Sequence, residues 1–136
     1  MIRIFCDGGA RGNPGPAAWA FVVELDKKII HKASDFIGRA TNNVAEYRAL
    51  TAALSWLSLN LPKTDAQIIL DSELVVKQMS GIFKIKNENL RNYFFEAKDL
   101  EKKIGAGISY KAVTRNKNIL ADFLVNKTLD SSNENI

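Results

Sequence analysis

Four carboxylates stand out in this sequence because of what surrounds them. Asp7 follows the apolar run "IRIFC", and Asp71 follows "AQIIL". Glu46 lies at the start of "NNVAEYRALTAALSWLSLNL", and Asp122 sits in "NILADFLVNKTL". Acids in such settings are held by ordered elements rather than left in solvent. Four carboxylates brought close would repel strongly unless a hard cation lay between them. Mg²⁺ prefers oxygen ligands of this kind and keeps several of its waters.

The elements that must position these acids can be read from periodicity. Residues 2–7, 17–25 and 29–37 read as strands, the last two joined as a hairpin across Asp26-Lys27-Lys28. A helix is expected over about 44–60, rich in alanine and leucine and stopped by Pro62. A fourth strand, 66–71, runs straight into the helix "SELVVKQMSG", which Gly81 ends. A helix at about 88–103, a strand at 108–113 and a helix at about 118–129 complete the order βββαβααβα. Hairpin strands followed by β–α alternation predict an α/β fold, with a mixed sheet and helices on it. Asp7 and Asp71 then end strands, Asp122 lies in the first turns of a helix, and Glu46 heads the apolar face of 50, 53, 54 and 57. In open α/β sheets these ends gather at one edge, where ligands bind.

Each acid also has an ordinary structural alternative. Asn43-Val44-Ala45-Glu46 matches a capping box. Asp71 or Ser72 could be an N-cap, Asp122 suits the helix macrodipole, and Asp7 could be a turn residue before Gly8. Jointly these alternatives weaken. A cap does not explain why Glu46 faces the apolar stripe, or why two strands both end in Asp.

After Asp7 comes "GGARGNPGP", with four glycines and two prolines in nine residues. A hairpin needs only two, so this loop is expected to touch something. Gly8, Gly9 and Gly12 leave no side chains in the way and tolerate positive φ. Pro14-Gly15 fits the centre of a type II turn. The loop has neither G-x-G-x-x-G spacing nor a Walker A motif, which argues against dinucleotide and P-loop sites.

At 136 residues the chain reads as one domain, residues 1–130, long enough for a real core. The polar segment 131–136 is expected to fray. A net charge of +4 and a pI near 9.2 permit an anionic partner without demanding one. The lone Cys6 suits a reducing cytosol, so a cytoplasmic location is expected. No apolar run reaches the ~18 residues of a membrane span, and no membrane partner is expected.

"DGGARGNPGPAAWAF", "TNNVAEYRALTAAL", "LDSELVVKQMSG" and "VTRNKNILADFLVNKTL" occur in order across nearly the whole chain. Together they resemble the compact, archaeal-like branch of type 1 ribonuclease H. That resemblance implies a ribonuclease H-like fold with a five-stranded mixed sheet flanked by helices. It implies endonucleolytic hydrolysis of the RNA strand of RNA–DNA hybrids, leaving 5′-phosphate and 3′-hydroxyl ends. The catalytic metal ligands would be Asp7, Glu46, Asp71 and Asp122. Two Mg²⁺ ions per site with substrate, replaceable by Mn²⁺ and ~3.5–4 Å apart, could activate a water, neutralise charge at phosphorus and stabilise the leaving oxygen. Asp7 is expected to be the ligand shared by both ions. The glycine-rich loop would then admit a nucleic-acid backbone.

Carried over residue by residue, the resemblance places Asn13, Asn42 and Asn43 near the scissile phosphate of the RNA strand, with Gly8 and Gly9 of the loop also binding substrate. Reading 2′-hydroxyls there is what separates RNA from DNA. Arg39, Thr41 and Asn87 match a pocket for a DNA-strand phosphate, where Arg suits bidentate binding. Arg39 as a solvated charge and the asparagines as helix caps are the ordinary alternatives. Many members carry a histidine before the last helix; here Arg115 stands seven residues before Asp122 and is expected to hold the scissile phosphate or help product leave. The single histidine, His31, and both tryptophans, Trp19 and Trp56, read as structural. Longer members insert a basic helix where "GIFKIKNEN" offers only Lys84 and Lys86, so weaker binding and a gentler salt slope are expected. A monomer is expected. The competing readings are another nuclease on this fold, or a non-catalytic hybrid-binding module. The first gives the T-N-x-x-A-E asparagines no role, and the second leaves the intact carboxylates unexplained.

Overall fold

The structure, a computed structural model, describes residues 1–134. Strands β1 (Ile2–Ala10), β2 (Gly15–Leu25) and β3 (Lys28–Ala40) lead into helix α1 (Asn42–Asn60). Then follow β4 (Ala66–Leu70), α2 (Glu73–Met79), α3 (Glu88–Ile104), β5 (Ile108–Ala112), a 3₁₀ turn (Arg115–Lys117) and α4 (Ile119–Glu134). The expected element order is present. The sheet order is β3-β2-β1-β4-β5, with β1 central, antiparallel to β2 and parallel to β4.

Alternation along the strands divides the core in two. Ile2, Ile4 and Cys6 of β1 and Phe21 and Val23 of β2 face α1, where Leu50, Leu54 and Leu57 are fully or almost fully buried with them. α3 packs outside α1 on that side. On the other face, Ala18 and Ala20 of β2 receive Val125 and Leu129 of α4. Small residues on that face let α4 lie close to the sheet. Trp19 and Trp56 pack against the larger core, and His31 stacks on Trp56 with ring centroids 5.0 Å apart. Histidine and tryptophans are therefore structural, as the sequence suggests.

Three local expectations are corrected. β1 does not stop at Asp7 but runs on to Ala10, so only residues 11–14 separate it from β2. The type II turn at Pro14-Gly15 does not form: Gly15 opens β2, positive φ falls at Gly12 instead, and the Asn13–Pro14 peptide is cis. The segment expected to fray from residue 131 is helical through Glu134, and residues 135–136 lie outside the described residues. The β2–β3 hairpin turns on Asp26 and Lys27 alone, with φ of 50° and 69°. Two successive positive φ values mark the turn type whose twist matches paired strands. Among the described residues, no helix is long and apolar enough to cross a membrane.

Candidate active site

The sheet ladder explains where Asp7 stands. The β1–β4 pairing ends at Cys6 and Leu70, so Asp7 is the first β1 residue beyond the end of its parallel neighbour. Asp71 is the first residue past β4 on the same side. Ser72 then caps α2 by accepting from Val75 N–H at 3.3 Å. The two parallel strands thus deliver two carboxylates side by side.

Glu46 arrives from α1 by a close helix–strand approach. A Cβ on Gly8 would lie 2.2 Å from the backbone carbonyl of Ala45 and 2.5 Å from the Glu46 nitrogen. Only glycine lets the first turns of α1 rest directly on β1. The Gly8 N–H donates to Glu46 Oε1 at 3.4 Å. Gly8 is therefore held against the helix on one side while its backbone still lines the cleft. The capping box does not form. Thr41 is the N-cap, accepting from Val44 N–H at 3.2 Å, and Glu46 points to Gly8 instead of Asn43.

One oxygen each of Asp7, Glu46 and Asp71 lie within 4.8 Å of one another. Asp7 is 3% exposed and Glu46 6%. Burial, then the charges of Asp71 and Asp122, push Asp7 up to about 8. Burial, then Asp7 and Asp71, push Glu46 up as well, with the Gly8 N–H opposing. Glu46 Oε2 is buried without a hydrogen-bond partner. Two acids that resist ionisation and one orphaned carboxylate oxygen are what a set of hard oxygen ligands looks like without its cation. A divalent ion fits this donor set. Asp122, in the first turn of α4, stands outside the triad but close enough for its charge to act on Asp7.

The cleft around these acids has a volume of about 370 Å³. Gly8, Gly9, Asn42, Asn43 and Arg115 line it with the four acids. Arg115 Nε lies 3.4 Å from Asp71 Oδ2, with its side chain 76% exposed. The neighbouring Asp71 charge, reinforced by Asp122 and Asp7, holds the guanidinium more firmly protonated. Asn13 and Asn42 form a lock at the rim: Asn13 Oδ1 accepts from Asn42 N–H at 3.0 Å, and Asn42 Oδ1 accepts from Ala10 N–H at 2.8 Å. Their side-chain carbonyls are thereby occupied. Arg39, Thr41 and Asn87 do not line the cleft. Arg39 is exposed on β3, and Asn87 caps α3 by accepting from Asn89 and Leu90 N–H.

Sequence reasoning missed three residues here. Arg11 lines the cleft and places Nη2 2.6 Å from Asp130 Oδ1 of α4 and 3.4 Å from Oδ1 of Asn126, itself a lining residue. Asn118, 1% exposed, donates from Nδ2 to the Cys6 carbonyl at 2.8 Å. Nothing local in "GARG" signals the first contact. For Asn118 the sequence shows only that it opens the helix expected over about 118–129.

An α/β protein whose central strand, two helices and neighbouring strand end converge on an acidic cluster presents a set of oxygen ligands suited to a divalent ion. The RNase H family model matches residues 1–129, and the chain belongs to that family. It is 41% identical over 133 residues to the bifunctional protein Rv2228c of Mycobacterium tuberculosis, covering 96% of this chain and 36% of that protein. Ribonuclease HI of Halobacterium salinarum is 39% identical over 132 residues, covering 96% of this chain and 65% of that one. The chain thus spans about a third of the length of the mycobacterial relative. Among solved structures, LC11-RNase H1 in complex with an RNA/DNA hybrid superposes with a TM-score of 0.92 at 38% identity. That match covers 97% of this chain and 99% of that one. The expected family and five-stranded fold are confirmed.

Proposed function

We propose that this chain is a ribonuclease H that hydrolyses the RNA strand of RNA–DNA hybrids, using Mg²⁺ or Mn²⁺ held by Asp7, Glu46, Asp71 and Asp122. The observation that carries the reading is the convergence of Asp7, Glu46 and Asp71 oxygens within 4.8 Å in a buried cleft, on a chain of this family. The LC11 neighbour, solved with a hybrid, supports the substrate class.

Divalent ions bound there would supply charge neutralisation at phosphorus and a more acidic water. The protein's own residues do the rest. Asp7, on the central strand and acted on by Glu46, Asp71 and Asp122 alike, is the ligand best placed to be shared. Glu46 is fixed by Gly8 N–H and by its buried helix turn, so its free Oε2 keeps one direction. Arg115 is the exposed cation at the mouth of the cleft. Its guanidinium can exchange the Asp71 carboxylate for a phosphate oxygen, a charge-assisted contact of similar kind. Asn42 and Asn43 present amides from the start of α1 to the same cleft. With their carbonyls engaged in the rim lock, Asn13 and Asn42 offer N–H donors, which suit 2′-hydroxyl oxygens. Arg39, Thr41 and Asn87 retain their proposed role at a DNA-strand phosphate, outside the acidic cleft.

The test is cleavage of four substrates with Mg²⁺ or Mn²⁺: hybrid, double-stranded DNA, double-stranded RNA and single strands. RNA should be cut where it pairs with DNA, leaving 5′-phosphates. Equal cutting of an all-DNA duplex would sink the reading.

A further inference from the structure

Asn118 is buried, polar and incompletely satisfied: Nδ2 is bonded, while Oδ1 has no partner. A buried carbonyl without a donor costs folding free energy, and such groups in a folded protein call for an explanation. Its contacts supply one. The backbone N–H of Asn118 donates to the Arg115 carbonyl at 2.9 Å, closing the 3₁₀ turn that carries Arg115. Its own carbonyl accepts from the Asp122 N–H at 3.1 Å, starting the helix that carries Asp122. Its side chain binds the carbonyl of Cys6, whose next residue is Asp7. Cys6 is also where the β1–β4 ladder ends, so no further β4 residue pairs with β1 beyond it.

We propose that Asn118 is a positioning residue that joins three separately folded pieces of the site: the Asp7 strand, the Arg115 turn and the Asp122 helix. It touches no substrate. It fixes the offset of Asp122 from Asp7 across a gap that no backbone ladder spans. Asp71 and Glu46 have backbone anchors of their own, through the end of β4 and the Gly8 N–H. Loss of the Nδ2 bond should therefore loosen Asp122 and Arg115 against Asp7 while leaving the Asp7–Glu46–Asp71 group in place.

This rests on the ribonuclease reading only for its activity readout. Asn118→Ala is compared with Leu57→Ala, a fully buried α1 residue eleven positions beyond Glu46, as a control for general destabilisation. At a temperature where all variants are folded by circular dichroism, Asn118→Ala should lower kcat on hybrid roughly ten-fold or more, the scale seen when groups that orient metal ligands are removed. KM for hybrid should change little. Mn²⁺ binding, followed by the electron-spin signal of free Mn²⁺ without nucleic acid, should weaken in Asn118→Ala and match the parent in Leu57→Ala. If Asn118→Ala does not fold, the near-isosteric Asn118→Leu, which has no donor, takes its place. Parent-like kcat and Mn²⁺ binding in the Asn118 variant, or equal losses in Leu57→Ala, would overturn the proposal. A parent that leaves hybrids uncut would defeat the ribonuclease reading alone, since the Mn²⁺ comparison still decides the role of Asn118.

Discussion

Asp7 sits in a strong electrostatic conflict. It is buried beside Asp71 and Asp122 and titrates at about 8. Unfolded, it would titrate near ~3.9. Between about pH 4 and about pH 8 the folded, metal-free chain therefore holds more protons than the unfolded one, so its stability falls as pH rises through that window. Asp7→Asn removes the charge and nearly keeps the shape. In chelator at pH 8 the variant should gain on the order of 1 kcal/mol, and its melting temperature should depend less on pH. Mg²⁺ should stabilise the wild type by mass action and the variant much less. Activity should be lost. A variant that stays active, with an unchanged metal response, would make Asp7 a turn residue and nothing more. Arg115 belongs to the same scale. Arg115→Ala should lower kcat about ten-fold or more, or ~1.4 kcal/mol of transition-state stabilisation. Circular dichroism should be unaltered, because the side chain is exposed.

At the scale of elements, the order of strands and helices was legible from periodicity, whereas the boundaries around Gly8 were not. A glycine run reads as a loop, yet Gly8 and Gly9 lie inside β1. The reason is three-dimensional: α1 needs the missing Cβ, and α1 begins more than thirty residues later. The helix start was misread for a related reason. Asn43 and Glu46 have capping-box spacing, but Thr41 reaches the N–H groups first and Glu46 has a better donor in Gly8. Gly8→Ala should therefore act as an overpacking change, costing about 1–3 kcal/mol, and should push the start of α1 from the sheet. Activity should fall further than stability alone explains, with Mg²⁺ needed at higher concentration. An Ala variant with the parent's melting point and metal requirement would show that α1 can yield at no expense.

Across the whole molecule, the four acids were legible because each ends or begins an apolar element, and such ends collect at one sheet edge. Asn118 and Arg11 were not legible. Their partners, Cys6 and Asp130, lie at the opposite end of the chain, and no local pattern announces a contact over that separation. The two contacts share a geometry: each ties the β1 end of the chain to the α4 end.

The small cluster beneath α4 has a consequence for how the protein breathes. Of the described α4 residues, Val125 and Leu129 are buried there against Ala18 and Ala20, while α1 contributes six buried residues to the main core. Opening free energy follows buried contact, so α4 should detach as a unit well before the sheet and α1 unfold. Each such excursion would carry Asp122 away and dismantle the site without denaturing the protein. Amide hydrogen exchange should show α4 exchanging faster than α1 in chelator, and Mg²⁺ should slow α4 selectively. Uniform protection across both helices would mean that the molecule opens only as a whole.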